Sequence, residues 1–259
     1  MSLVVPEIRR SWIARVNPLA KLVVALCVGV TLVLSIDVVS AGIVVAVVVL
    51  LLPFAGLSAR QLAVRTSPIL VSAVLAGIAT ALYGVDAGRV FASLGPVTIT
   101  EGSLGLAVAI LLRVLAVGVP AVLLFATTDP TDLADSLAQL AKLPARFVLG
   151  ALAALRLVGL LLEDWEALGL ARRARGVADR HGIRRFLVQA GTLLVFAVRR
   201  GGKLATAMEA RGFGGATRRS WARRSVLRPR DVLFMLVGVG VVAAAVTTAV
   251  LLGSWRWVL

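Results

Sequence analysis

The stretch LGLAVAILLRVLAVGVPAVLLFA at residues 104–126 decides what kind of protein this is. It carries one charge, Arg113, in 23 residues. As a helix it would extend about 34 Å, enough to cross a hydrocarbon core of about 30 Å. Working outward, four further segments are long enough, or nearly so, to do the same: 19–36, 38–57, 67–83 and 232–253. The composition agrees. Hydrophobic residues make up 59% of the 259-residue chain and the mean hydropathy is +0.97, above the globular norm of about half apolar. The expectation is an all-α, polytopic membrane protein with about five transmembrane helices.

The net charge of +15 then needs a reason. Nucleic acid is a poor one, since a nucleic-acid interface needs a soluble basic face with aromatic or base-reading groups, and aromatics are only 5% here. The excess of Lys and Arg on cytoplasmic loops explains it better. Residues 1–21 carry Arg9, Arg10, Arg15 and Lys21 against Glu7, and the 57–66 loop carries Arg60 and Arg65 with no acid. The turn at Asp37 is net negative, and the 84–103 loop sets Asp86 and Glu101 against Arg89. This alternation places the N-terminus in the cytoplasm and, after five spans, the C-terminus outside. No cleavable signal peptide is evident, and Arg9, Arg10 and Arg15 ahead of a long apolar run suit a retained first span. The first two spans form a tight hairpin about Asp37, and Gly95-Pro96 marks a turn in the longest early loop.

Between the fourth and fifth spans, residues 127–231 hold 19 of the 28 Lys and Arg and 9 of the 13 acids. The organisation expected is therefore 1–126 as an N-terminal membrane domain of four spans, 127–231 as a cytoplasmic coupling domain, and 232–259 as a C-terminal span. Two apolar runs inside the middle domain, 147–162 and 186–198, are read as long helices lying against the membrane face or a membrane partner. Spanning would carry six arginines of 163–185 to the wrong side. Asp132 or Asp135 is expected to cap a short helix ending near Lys142. Pro144 would begin a helix running to Arg175 and stopping at Gly176, and another would run from about 184 to 211 and stop at Gly212. Gly201-Gly202 is a point of interruption for it.

Those two helix ends share a pattern. Ala171-Arg-Arg-Ala174-Arg175-Gly176 and Ala207-Met-Glu-Ala210-Arg211-Gly212 both read Ala-x-x-Ala-Arg-Gly. Either alone is an ordinary helix stop, with Arg complementing the dipole and Gly ending the helix. Two copies in the one large cytoplasmic region suggest a docking role. Small alanines let a partner approach, and Arg presents a planar charged fork to a carboxylate.

On these residues the chain resembles the transmembrane T component of energy-coupling factor (ECF) transporters, which import vitamins and transition-metal ions. The resemblance runs from Asn17-Pro18-Leu-Ala-Lys21 through Thr127-Thr128-Asp129-Pro130, Leu143-Pro144 and Arg156 to Ala207-Met-Glu-Ala-Arg-Gly-Phe213. It departs at Asn17, where Asp is usual, and at the extra Arg172-Arg173. It implies that the motif arginines dock into two ABC ATPase subunits, so that Ala174, Arg175, Gly176, Ala210, Arg211 and Gly212 form the docking ends. Which of Arg172, Arg173 and Arg175 makes the main first-motif contact stays open. It also implies a membrane-embedded substrate-binding S component as a further partner alongside the lipid bilayer. The chain itself would then be no enzyme and take no cofactor, with ATP bound by the partner subunits.

Two other functions compete. A conventional ABC permease is hinted at by Glu209-Ala210 followed by Gly212, but that signature appears once per chain. A lipid-modifying enzyme would need an acid cluster. Asp129, Asp132 and Asp135 fit helix capping, and Glu163, Asp164 and Glu166 fit a charged helix surface. No Gly-x-x-x-x-Gly-Lys-Ser/Thr loop occurs, so ATP must be handled elsewhere. Cys27 and His181 are each the only residue of their type, which removes an intrachain disulfide and the usual transition-metal sites. Cys27 is expected as a small buried residue and His181 as a solvated loop residue. Arg113 is either a functional intramembrane charge or a structural brace, with Asp37 or helix carbonyls as its partners.

Overall fold

The computed structural model describes residues 12–56, 58–84, 87–94, 97–176, 182–215 and 220–254. The expectations placed on Arg9, Arg10, Asp86, Gly95-Pro96 and His181 lie outside the described residues. Eight α-helices follow in chain order: α1 Pro18–Leu34, α2 Val38–Leu51, α3 Ala59–Tyr83, α4 Glu101–Ala126, α5 Pro130–Gln139, α6 Ala145–Ala174, α7 Gly182–Ala210 and α8 Pro229–Leu251. A short hairpin, β1 Val90–Leu94 with β2 Val97–Thr100, occupies the loop before α4. The protein is an all-α polytopic membrane protein to which this hairpin is a minor addition. The described residues fall into two compact units, one of 12–133 with 225–254 and one of 134–224, dividing inside α5.

In the first unit α4 packs against α1, α2 and α3, and α8 packs against α1 and α2. Its core is small and aliphatic: Val28, Leu32, Ala41, Val44, Ala116, Val242 and Ala245. Lipid is as apolar as these side chains, so close backbone approach does the packing that water exclusion does in soluble proteins. Gly238 on α8 shows the principle, since a Cβ there would lie 2.6 Å from Val24 of α1. Pro68 lies inside α3, where it removes the N–H that would pair with the Val64 carbonyl. The Ser67 hydroxyl donates to that carbonyl at 3.0 Å, so the helix continues without an orphaned acceptor.

Helices α3, α4, α6 and α8 are each long and apolar enough to cross a membrane. Helices α1 and α2 are shorter, at 17 and 14 residues, with α2 extended by a 3-10 turn at Leu52–Ala55. The segment expected as 67–83 begins eight residues earlier, at Ala59. Ser58 and Gln61 form a capping box that carries the helix over Arg60 and Arg65. The cap of α5 is Asp129, whose Oδ1 accepts the Thr131 N–H at 2.7 Å, rather than Asp132 or Asp135. Pro130 opens that helix and sets its start one residue after Asp129. Pro144 is the N-cap of α6 rather than its first residue. Cys27 is half-buried rather than fully enclosed.

Candidate functional site

The two Ala-x-x-Ala-Arg-Gly segments end α6 and α7, each with a glycine N–H bonded three residues back. Helix α6 closes with Arg175 N–H donating to the Ala171 carbonyl at 3.1 Å and Gly176 N–H to the Arg173 carbonyl at 3.1 Å. At the end of α7, Gly212 N–H donates to Glu209 at 2.8 Å and Phe213 N–H to Met208 at 2.9 Å, the paired bonds of a Schellman stop. Gly176 and Gly212 sit at φ +68 and +74, a left-handed turn that disfavours any side chain. Arg175 and Arg211 thus hold equivalent places one residue before the glycine. Both are exposed, as are Ala174 and Ala210.

Helices α6 and α7 run antiparallel. Arg200 pairs with Asp164 at 2.7 Å, Gln189 Nε2 donates to the Trp165 carbonyl at 2.6 Å, and the Trp165 and Phe186 rings meet edge-to-face at 5.5 Å. At the far end, Pro144 and Arg146 of α6 line one cleft with Met208 and Arg211 of α7. The two motif arginines therefore lie at opposite ends of the pair, about 40 Å apart for helices of this length. Helix α7 runs through Gly201-Gly202 without interruption.

Along their length both helices carry exposed apolar stripes among the described residues. Phe147, Leu155, Val158 and Leu162 are exposed on α6, and Ile183, Leu187, Leu194 and Val198 on α7. No part of the apolar window of α6 is buried. Such a surface needs lipid or a membrane partner to cover it.

Arg113 donates through Nη2 to the carbonyl of Val33, in the last turn of α1. It is thus bonded to a helix carbonyl and not to Asp37, the other partner expected for it. Asp37 is occupied: it caps α2 by accepting from Ser40 N at 2.6 Å and also accepts from the Ser35 hydroxyl at 2.8 Å. Val33 O belongs to the last four carbonyls of α1, which have no partner within the helix, and a guanidinium beside them complements the dipole.

A buried polar cluster at the other end of that unit was not singled out by sequence. Asp231, 1% exposed, accepts Asn17 N–H at 2.9 Å and Arg228 N–H at 2.8 Å. The Asn17 amide donates to Ser225 Oγ at 3.2 Å. Lys21 Nζ reaches the Thr127 carbonyl at 3.0 Å and the hydroxyls of Thr127 and Thr128. The segments around Asn17-Pro18 and Thr127-Thr128, marks of a family without stated roles, are here one contact joining α1, α4 and α8. A sequence signal existed: both flank apolar spans an even number of crossings apart. Arg65 donates to the Ala126 carbonyl at 3.5 Å, which brings the start of α3 to the same end. This end is basic, with Arg15, Arg60, Arg65, Arg228 and Arg230, while Asp37 and Glu101 belong to the other.

Among the described residues, no three His, Cys, Asp or Glu are grouped to hold a metal ion. The family model described as cobalt transport protein (CbiQ) matches residues 9–221. The chain belongs to this family. Among its relatives, the energy-coupling factor transporter transmembrane protein EcfT of Exiguobacterium sibiricum is 30% identical over 210 residues, covering 74% of this chain and 80% of its own. The proteins of the same name in Limosilactobacillus fermentum and Streptococcus thermophilus are 30% and 32% identical. Each of these two matches spans 58% of this chain and 61% of the relative, less than two thirds of its length. These relatives are named as transporter components and not as enzymes. The match to the family covers both helix ends and all of α6 and α7.

Proposed function

We propose that this chain is the energy-coupling (T) subunit of an ECF-type ABC importer for a vitamin or transition-metal ion. The observation that carries the reading is the pair of identical Ala-Arg-Gly stops, one at each end of an antiparallel helix pair. Two ATPase subunits dock there, one on Arg175 and one on Arg211, on the cytoplasmic side with the N-terminus and residues 127–231. ATP binds to those subunits, and this chain performs no catalysis. Closure of the ATPases draws two separated points on rigid rods together, and α6 and α7 carry that displacement along their length. Their exposed apolar stripes hold a membrane-embedded substrate-binding subunit, whose reorientation releases substrate inward. The relatives' names and the family match support this assignment over a conventional permease.

The test is Arg175→Ala with Arg211→Ala, assayed by co-purification of the ATPases and by substrate uptake at matched expression. Truncating one side of an interfacial charge contact costs about 2–5 kcal/mol, enough to cripple docking. Folding should lose far less, since an exposed last-turn Arg contributes about 0.3–1 kcal/mol through the dipole. The double variant should insert and keep the substrate-binding subunit but lose ATPase association. Each single variant should be milder, and Arg172→Ala should do little. Transport at the wild-type rate by the double variant would leave the two ends as helix stops and nothing more.

A further inference from the structure

Arg211 faces a cleft of about 740 Å³ between the last turn of α7 and the first turn of α6. Arg146, exposed, lies across that cleft with its guanidinium 4.8 Å from the Phe147 ring centroid. A cation–π contact of this kind at an exposed site is weak and biases the guanidinium toward that ring. Leu149, Met208 and Phe213, all half-buried, give the cleft an apolar floor. Its described lining residues include two arginines and no carboxylate.

We infer that Arg146 is a second docking cation, and that this cleft receives an acidic segment of one ATPase subunit that also inserts an apolar side chain. The inference rests on the proposed function above and refines it at one of the two ends. Two guanidiniums from different helices facing one concave surface favour a carboxylate held between them, because each fork offers paired N–H donors. The floor favours an apolar anchor, and Met208 adapts to its shape. At the Arg211 end the apolar floor adds to the affinity that the charge contact supplies. A surface built only to stop α7 would not need a cation from the start of α6.

The experiment titrates the two purified ATPase subunits from the same cell onto the full chain in nanodiscs of zwitterionic phosphatidylcholine. Arg146→Gln should weaken binding about tenfold and flatten its salt dependence, as loss of one interfacial charge contact does. Leu149→Asp should weaken it further by replacing part of the apolar floor with a carboxylate that repels the acidic segment. Arg199→Gln, at another exposed arginine on α7, should change it by less than about twofold. Thermal melting of each variant checks the fold, and Arg146→Lys serves where Arg146→Gln melts early: it keeps the charge but loses the fork, so it should bind with intermediate affinity. If Arg146→Gln binds like the wild type while Arg211→Ala does not, the second cation is refuted and the proposed function stands. If neither changes binding, the proposed function itself falls. If the Arg146 effect appears only when anionic lipid is added, the cleft holds a lipid headgroup and the inference is overturned.

Discussion

Asp231→Ala is the perturbation whose cost the structure allows to be worked through. The carboxylate is 1% exposed and accepts two backbone N–H groups, Asn17 at 2.9 Å and Arg228 at 2.8 Å. The Arg228 bond is half of the capping box that starts α8, and the Asn17 bond fixes the residue before α1. Alanine leaves both buried donors without that acceptor. An orphaned buried donor costs about 1–3 kcal/mol, so the two together cost about 3–5 kcal/mol once partial relaxation is allowed. At about 2–4 °C of melting temperature per kcal/mol for a chain of this size, the expected drop is about 10 °C. Asp231→Asn keeps one acceptor oxygen and should fall midway. The assay is thermal unfolding in mild detergent, followed by size-exclusion of the soluble fraction. A melting temperature for Asp231→Ala within about 2 °C of the wild type would mean that water or backbone movement satisfies both donors, and that the cluster does not join α1 to α8.

Three further outcomes are expected. In a Cys27→Ser background, an impermeant thiol reagent on intact cells should label Ala92→Cys in the hairpin and spare Thr131→Cys at the start of α5; strong labelling at 131 reverses the orientation. Arg113→Met removes the donor to the Val33 carbonyl and should cost about 1 kcal/mol of stability while leaving transport intact. Lost transport at unchanged melting temperature would instead make Arg113 a functional charge. The purified chain, freed of partner subunits, should show no ATP hydrolysis and no turnover of lipid-linked substrates, measured by phosphate release and lipid chromatography. Hydrolysis that persists through stringent removal of partners would contradict the assignment.

Much of this architecture is local and so legible in the chain. In a bilayer each backbone group must be satisfied within its own helix, so apolar length reveals the helices before their packing is known. The stops at Gly176 and Gly212 are equally local, because the left-handed residue after a helix is most often glycine, which has no Cβ to clash. The repeated Ala-Arg-Gly was visible for that reason, and so were the apolar runs of α6 and α7. The opening of α3 eight residues early was hidden, since Arg60 and Arg65 lower its hydropathy while Ser58 and Gln61 supply the start.

What joins distant parts of the chain is another matter. Asn17 meets Asp231 across 214 residues, and Lys21 meets Thr127 across 106. Only the packing of α1 against α4 and α8 decides those partners. The same packing hands Arg113 a carbonyl on α1, while Asp37 turns to its own helix start. Arg146 next to Arg211 has no trace in spacing, because the antiparallel run of α6 and α7 brings the first turn of one to the last turn of the other. Composition determines that these helices lie in or on a membrane, since transfer free energy adds residue by residue along a chain. Directional contacts between arginines, carboxylates and carbonyls do not add that way: they exist only where two helix surfaces place donor and acceptor within about 3 Å of each other.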